Sequence, residues 1–409
     1  MNYPYSIEDL LSEFQSKTRE LNSHEFFMNR CLELAFQGSG WAQPNPLVGS
    51  VIVHNQQIIS EGFHRKFGEN HAERMAILSL ENKELLKEST LYVNLEPCSH
   101  FGKTPPCSDL ICEYQIPKVV VGMLDPNPLV NGNGIQRLKN NGIEVIENVL
   151  THSCNYLNRK FIVNQTQKRP FITLKWAESN DGFYAPLPRK KQQVTGDTAR
   201  KFTHRLRQVH QAILVGIGTW ELDQPLLTDR YFGGPQPIKL VMTENELWCF
   251  TEHLKWSGGL SQLTETKSEW NSQKFHRIRM NGADFNSKFP SKAEFISQFC
   301  YQNGWNSLLV EGGSSVWNAF IDANLVDELV VYKSRKVELE SGLRVPELDP
   351  ISHSFQSPIC IDLDEYEYEL SQNSLKNSSE IANDNAEFHL NSDHNRTDSD
   401  QLVLYRWKK

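Results

Sequence analysis

Apolar residues follow two rhythms along the first part of the chain, a helical spacing and short continuous runs, and the two alternate. From His24 the spacing is helical: Phe27, Cys31, Leu34 and Ala35 share a face, and Gly38 is placed to stop the helix. Pro44-Asn45-Pro46-Leu47-Val48-Gly49 leads into a strand over 50–53, and a hairpin turn over 54–57 returns the chain through 58–62. His71 opens a second amphipathic helix, with Ala72, Met75, Ala76 and Leu80 as its buried face. A strand over 91–95 follows, Cys107 opens another helical run, and 118–124 is a continuous apolar run ended by Asp125-Pro126-Asn127-Pro128. A short helix around 135–139, a strand at 143–146 and a helical segment over 152–161 come next. Runs apolar on both faces, alternating with helices, predict an α/β sheet covered by helices.

The polar, proline-ended stretch 165–170 reads as a domain boundary. It separates a first domain over 23–167, preceded by a polar extension 1–22 with helical potential, from a second domain over 168–409. That second domain opens with a strand over 171–177, and a helix over 197–208 begins with Asp197 after Gly196, a favourable amino-terminal cap. A strand over 211–215 continues into Gly216-Ile217-Gly218-Thr219, and a strand over 307–310 runs into Glu311-Gly312-Gly313-Ser314-Ser315 and a helix through 317–323. A strand followed by a glycine-rich turn at a helix start can place backbone N–H groups against a dinucleotide phosphate. The Gly-x-Gly-x-x-Gly fingerprint is absent, so this pattern alone is weak. Residues 371–399 are rich in Asn, Ser and Asp with few apolar positions, which predicts an insertion loop, and 401–407 reads as a strand returning to the sheet.

At 409 residues the chain is long for one core, and 22% charged with 39% hydrophobic residues is ordinary globular composition. A net charge of -8 and a pI near 5.9 argue against a nucleic-acid coat or an anionic membrane surface. A phosphorylated ligand would therefore need local basic residues. No run approaches the roughly 20 apolar residues of a membrane span, and the acidic start lacks a signal peptide's pattern, so a cytoplasmic location is expected. Eight cysteines are too sparse for a disulfide scaffold. Only Cys98 and Cys107 have a ligand context; Cys112 is expected in the core.

His71-Ala72-Glu73, Pro97-Cys98 and Cys107 have the residue types of a zinc site that generates hydroxide. One imidazole and two thiolates hold the metal and leave a fourth position for water, whose pKa falls from 15.7 to about 7. Glu73, two residues past His71, is not a ligand and is the expected proton carrier. His-x-Glu alone is weak; the Pro-Cys after an apolar strand and the second cysteine at a helix start carry the reading.

The loop from Glu96-Pro97-Cys98-Ser99-His100-Phe101-Gly102-Lys103-Thr104-Pro105-Pro106 to Cys107 closely resembles the zinc loop of the bifunctional riboflavin-biosynthesis deaminase/reductase family. Val194-Thr195-Gly196, Arg207, the 215–219 turn, Asp223, Pro225-Leu226-Leu227-Thr228, Arg230 and Val310-Glu311-Gly312-Gly313 resemble its reductase half in the same order, so the likeness covers roughly residues 24–332. The resemblance implies a cytidine-deaminase-like amino-terminal domain and a dihydrofolate-reductase-like carboxy-terminal domain. It also implies zinc on His71, Cys98 and Cys107, Glu73 as catalytic residue, and NADPH as the second cofactor. By position, Ala177, Gln193, Thr219, Asp223, Gly313, Ser314, Ser315, Val316, Trp317, Asn318 and Ala319 would contact NADPH. Asn45 would bind the pyrimidine; Lys191, Arg207, Leu227, Arg230 and Glu311 would contact the substrate of the second step; and Lys66 is a candidate for its phosphate in the first. The chain departs from the family at Asn180, Gln193-Val194, Gln224 and Thr243-Glu244, where Leu, Trp-Ile, Asp and Asp-Ser are usual.

The implied reaction is zinc-hydroxide deamination of 2,5-diamino-6-ribosylamino-4(3H)-pyrimidinone 5′-phosphate, then NADPH-dependent reduction of the ribosyl to a ribityl chain. The partner is a small phosphorylated pyrimidine, without nucleic acid or membrane; a homo-oligomer is compatible with the sequence. Two rivals stand beside this reading: a deaminase of a tRNA base or nucleoside with a binding-only second domain, and a non-catalytic chain with structural zinc. The acidic balance counts against RNA, and an open three-ligand set beside Glu73 counts against a structural site.

Overall fold

The computed structural model describes residues 23–99, 105–127, 131–251, 254, 265–270, 273–280, 288–347, 359–363 and 400–406. The extension 1–22 and the insertion 371–399 lie outside them. The chain divides into two compact units between Arg169 and Pro170.

The first unit begins with α1 (His24–Gln37), capped by Ser23, whose side chain accepts the Phe26 N–H at 3.2 Å. Strands β1 (Gly49–His54) and β2 (Gln57–Phe63) form the expected hairpin, with Asn55 and Gln56 both at positive φ. Then come α2 (Ala72–Ser79), a 3-10 helix (Lys83–Glu88), β3 (Thr90–Val93), α3 (Cys107–Glu113), β4 (Lys118–Val121), α4 (Asn133–Asn140), β5 (Glu144–Ile146), α5 (Thr151–Leu157) and α6 (Arg159–Gln167). The sheet order is β2-β1-β3-β4-β5, antiparallel through the hairpin and β3, parallel from β3 to β5.

Alternation along each strand explains why the runs are apolar throughout. Ile52, Leu91, Val93, Val119 and Val121 enter one core with Ala76, Ile111 and Leu138. Val51, Tyr92 and Val120 enter the other with Phe27, Cys31 and Cys154. Both faces are covered, so no strand position can be polar without a partner.

Three expectations for this unit are corrected. The helical segment over 152–161 is two helices, because buried Asn158 turns inward: its Oδ1 accepts the Leu47 N–H at 2.8 Å and its Nδ2 donates to the Leu47 carbonyl at 3.0 Å. The boundary stretch 165–170 is helical as far as Gln167, and the division between the units falls inside it. In α2, Glu73 and Ile77 are buried, whereas Met75 is half-buried, and Cys112 likewise packs against the core only in part.

The second unit contains β6 (Phe171–Glu178), β7 (Phe183–Pro186), α7 (Asp197–Gln208), β8 (Ala212–Gly216), α8 (Ile217–Asp223), β9 (Ile238–Met242), β10 (Glu246–Phe250), β11 (Glu265–Trp270), β12 (Gln273–Arg279), α9 (Lys292–Gln302), β13 (Ser307–Gly312), α10 (Ser314–Asp322), β14 (Glu328–Lys333), β15 (Gly342–Arg344), β16 (Ile359–Asp362) and β17 (Gln401–Arg406). Among the described residues its main sheet runs β11-β12-β10-β9-β8-β13-β6-β14-β17-β16, with β9, β8, β13, β6 and β14 parallel. The segment after the insertion does return to the sheet, β17 pairing antiparallel with β14. The cap of α7 is Gly196 rather than Asp197, which is its first helical residue and pairs with Arg200 at 2.8 Å.

One face of the parallel strands is wholly apolar: Ile172, Leu174, Trp176, Leu214, Leu308 and Val310 pack against Phe295 and Phe299 of α9 and Trp317 and Phe320 of α10. The alternate positions Thr173, Lys175, Glu311 and Tyr332 point to the other face. That alternation brings Lys175 and Glu311 to one sheet face. No helix among the described residues is long and apolar enough to cross a membrane.

Candidate active sites

His71 is the residue at which the chain turns into α2, and Cys107 is the first residue of α3. Their side chains therefore project from two helix starts, where unpaired N–H groups favour a thiolate. Cys98 follows the end of β3, and its sulfur accepts the Cys107 N–H at 3.3 Å. Gly62 lets α2 approach β2: a Cβ there would stand 2.5 Å from the Ala72 carbonyl oxygen.

His71 Nδ1 lies 3.5 Å from Cys98 Sγ and 3.5 Å from Cys107 Sγ, and the three donor atoms fall within 4.8 Å of one another. A tetrahedral zinc ion with Zn–N near 2.0 Å and Zn–S near 2.3 Å would separate such atoms by roughly 3.5 Å. The donor set fits that ion in both chemistry and spacing. Hydrogen bonds from Cys107 and His71 hold Cys98 well below the ordinary thiol range, near 4, and the thiolate in turn raises His71. Cys107, facing that charge and buried, is pushed up. Glu73 is 3% exposed; burial, then the Cys98 charge, lifts its carboxyl to about 7.

Asn45 is set beside this cluster by a chain of amide contacts. Asn94 donates to the Leu47 carbonyl at 3.0 Å and accepts the Gly49 N–H at 2.8 Å, which with Asn158 fixes the 45–49 segment. Asn45 Nδ2 donates to His64 Nε2 at 3.0 Å, so the His64 proton is on Nδ1, where it is given to the Asn70 carbonyl at 3.0 Å. Burial lowers His64, in keeping with a neutral ring, and that ring meets His71 edge-on at 5.7 Å. This contact fixes the orientation of the Asn45 amide. Lys66 instead stands 5.5 Å over the exposed Trp41 ring.

In the second unit, Arg207 and Glu311 form a two-pronged ion pair, Nε to Oε1 and Nη2 to Oε2 both at 2.7 Å, with side chains 13% and 7% exposed. Lys175, on the same sheet face, is lowered by burial and raised in part by Glu311, and its ammonium lies 5.4 Å over the Tyr332 ring. Arg230 is exposed at its side chain while its backbone N–H donates to His204 Nδ1 at 3.1 Å. Leu227 is buried at positive φ, and Lys191 donates to the Asp223 carbonyl at 3.2 Å.

A cleft of about 450 Å³ opens beside the starts of α8 and α10. Thr219, Gly313, Ser314, Ser315 and Ala319 line it; so do Thr243 and Glu244, the pair at which the chain departs from the family, and Arg189 and Lys292, which the sequence did not single out. Paired helix starts with small residues suit a diphosphate, so the cleft fits a dinucleotide. Ser314 Oγ is 3.2 Å from the Tyr184 hydroxyl. Val316 and Trp317 are buried, Trp317 against Trp176 and Tyr184; Asn318 and Gln193 are exposed; Ala177, Gln193, Asp223 and Asn318 are not among the cleft's lining residues.

The first unit's fold and its triad with a buried acid define a zinc-dependent deaminase half, joined in one chain to a reductase half. The cytidine and deoxycytidylate deaminase zinc-binding region matches residues 21–123, and the RibD C-terminal domain matches residues 170–336. The riboflavin biosynthesis protein RibD of Actinobacillus pleuropneumoniae is 37% identical over 327 residues, 76% of this chain and 83% of that protein. A solved diaminohydroxyphosphoribosylaminopyrimidine deaminase/5-amino-6-(5-phosphoribosylamino)uracil reductase from Thermotoga maritima is 35% identical with a TM-score of 0.67, covering 94% of this chain and 99% of that one. The solved RibD of Acinetobacter baumannii, 25% identical, has a TM-score of 0.69 and covers 95% of this chain and 100% of that one. The chain belongs to the RibD family of riboflavin biosynthesis proteins.

Proposed function

We propose that the chain catalyses both steps of its family: loss of the 2-amino group of 2,5-diamino-6-ribosylamino-4(3H)-pyrimidinone 5′-phosphate, then reduction of the ribosyl group to ribityl. The observation that carries the reading is the convergence of His71, Cys98 and Cys107 beside buried Glu73. A zinc ion held by those three would lower the pKa of a water at its fourth position to near neutrality. Glu73 takes a proton from the attacking water and returns it to the departing ammonia. A carboxyl pushed up to about 7 is suited to exchange in both directions. Asn45 accepts a hydrogen bond from the pyrimidine and sets which ring carbon faces the water.

For the second step NADPH supplies the hydride, and the protein's part is position and charge. The α8 and α10 starts would hold its diphosphate, with Thr219, Gly313, Ser314, Ser315 and Ala319 as the lining that meets it; Ala177, Gln193, Asp223, Val316, Trp317 and Asn318 complete the assigned set. Lys175, on the same sheet face as Glu311, is the group we assign to protonate the opening ribose oxygen. Arg207 is occupied by Glu311 and orients it; Arg230 and Lys191, exposed at their side chains, offer cations to the phosphate, and Leu227 fixes the turn that carries Arg230. Domains over 23–167 and 168–409, a cytoplasmic location and a free pyrimidine in place of nucleic acid belong to the same reading.

The test is to incubate zinc-replete protein with the phosphorylated diaminopyrimidine. One equivalent of ammonia is expected without NADPH, and one equivalent of NADPH is oxidised when it is then added. Ammonia without later oxidation would remove the reductase assignment; no ammonia at all would remove the deaminase.

A further inference from the structure

Glu96 lies two residues before Cys98, is 3% exposed, and has no part in the chemistry described so far. Its carboxylate collects four backbone N–H groups from across the fold. Oε2 accepts from Asp125 at 3.1 Å and Gly132 at 3.0 Å, and Oε1 from Gly134 at 2.9 Å and Ile135 at 3.4 Å. Its own N–H donates to the Met123 carbonyl at 2.9 Å.

These partners are the turn after β4 and the opening of α4, whose cap is Gly132 at φ 80° with no side chain to offer. Glu96 thus caps α4 from a neighbouring strand, with a charge of the sign that a helix start favours. The fit leaves no space: a Cβ on residue 134 would stand 2.1 Å from the Pro97 carbonyl oxygen and 3.1 Å from Glu96 Oε1. On its other side Cys98 is held by Ser108, whose N–H and hydroxyl both donate to the Cys98 carbonyl, at 3.1 and 3.0 Å.

β3 and β4 are parallel neighbours, so the Cys98 segment and the Asp125–Asn127 turn leave the same sheet edge, the carboxyl end where ligands of open α/β sheets bind. The turn is internally braced, Asp125 Oδ1 accepting the Asn127 N–H at 2.8 Å. We infer that Glu96 is a positioning residue for deamination: it ties the turn after β4 to the strand end bearing Cys98, so that the turn forms a fixed wall of the pyrimidine site. It would act on substrate placement, through the turn, with the ligand triad left intact. This rests on the deaminase reading above.

Glu96→Gln keeps the shape but replaces one acceptor oxygen by an NH₂ group facing N–H donors. Ammonia release by Glu96→Gln should show KM raised roughly 10- to 100-fold. Zinc should stay at one per chain, and NADPH oxidation on the already deaminated substrate should be unchanged. Gly134→Ala, which pushes the opening of α4 away from Pro97 and Glu96 and so loosens the same tie, should raise KM in the same direction, and carries the test if Glu96→Gln does not fold. Wild-type KM in either folded variant would overturn the inference. So would loss of zinc with a fallen kcat at unchanged KM, which would make Glu96 a support of the metal ligand. Wild-type protein releasing no ammonia in the same assay is the separate failure of the deaminase reading.

Discussion

The two halves build their sites in opposite ways. In the first, the decisive atoms belong to four side chains between His71 and Cys107, three of them able to share one ion, and the fold supplies two helix starts and a strand end to aim them. In the second, adjacent parallel strands put Lys175 and Glu311 on one sheet face, and Arg207 reaches Glu311 from helix α7. A metal site demands particular elements at particular positions; a hydride-transfer site demands mostly backbone turns, shape and a balanced set of charges. Damage should therefore be local and chemical in the first half, structural and shared in the second.

The largest effect expected is at Glu73. Glu73→Gln should lower ammonia release by about 10²- to 10⁴-fold, with one zinc per chain retained and NADPH oxidation on the deaminated substrate untouched. Parallel assays of metal content and both products check this; near-normal ammonia release would take Glu73 out of the proton path.

Glu311→Gln should break the contrast from the other side. It strands Arg207 without its carboxylate in a site where both are largely buried, a loss of about 3–5 kcal/mol. Denaturant unfolding should show it together with lost NADPH oxidation, while ammonia release persists under native conditions. Unchanged stability with lost oxidation would mean that the pair serves substrate alone.

A smaller effect concerns pH. Burial, then Arg207 and Arg230, hold His204 down near 4 from its ordinary 6.5, and Glu311 is held below its ordinary 4.5 by Arg207 despite burial. For His204 the unfolded chain binds the extra proton first. Its contribution is therefore present above about 6.5 and drains away as pH falls towards 4; that of Glu311 follows below about 4.5. Melting of the NADPH-binding half, followed by loss of cofactor fluorescence transfer, should move down by a few degrees between pH 7 and 5. His204→Asn should flatten that part of the slope; a slope unaltered by the substitution would place its origin elsewhere.

The same contrast explains how much could be read before any coordinates. His71, Glu73, Cys98 and Cys107 are legible because their types and element starts prescribe a chemistry. The alternation of apolar runs anticipated the layered α/β units, since a strand covered on both faces has no polar register to show. Lys175 stands in the sequence only as one residue of the strand over 171–177; its place on the sheet face of Glu311 comes from the pairing of β6 with β13. The break at Asn158 was hidden because its side chain is committed to Leu47, far away in the chain. Asp197 resembled a cap because Asp is a good one, yet Gly196 occupies that place and its N–H donates to Asp400, beyond the insertion. In each instance the missing information was a long-range contact, which no local pattern contains.

The central claim is that deamination depends on the metal triad and reduction does not. It is tested most directly by stripping zinc from the purified full-length chain with a chelator, then restoring it stepwise while both reactions are followed. Ammonia release should fall with zinc content and recover in proportion as one equivalent per chain is returned, with NADPH oxidation on the deaminated substrate constant throughout. Ammonia released at full rate by zinc-free protein would contradict the account.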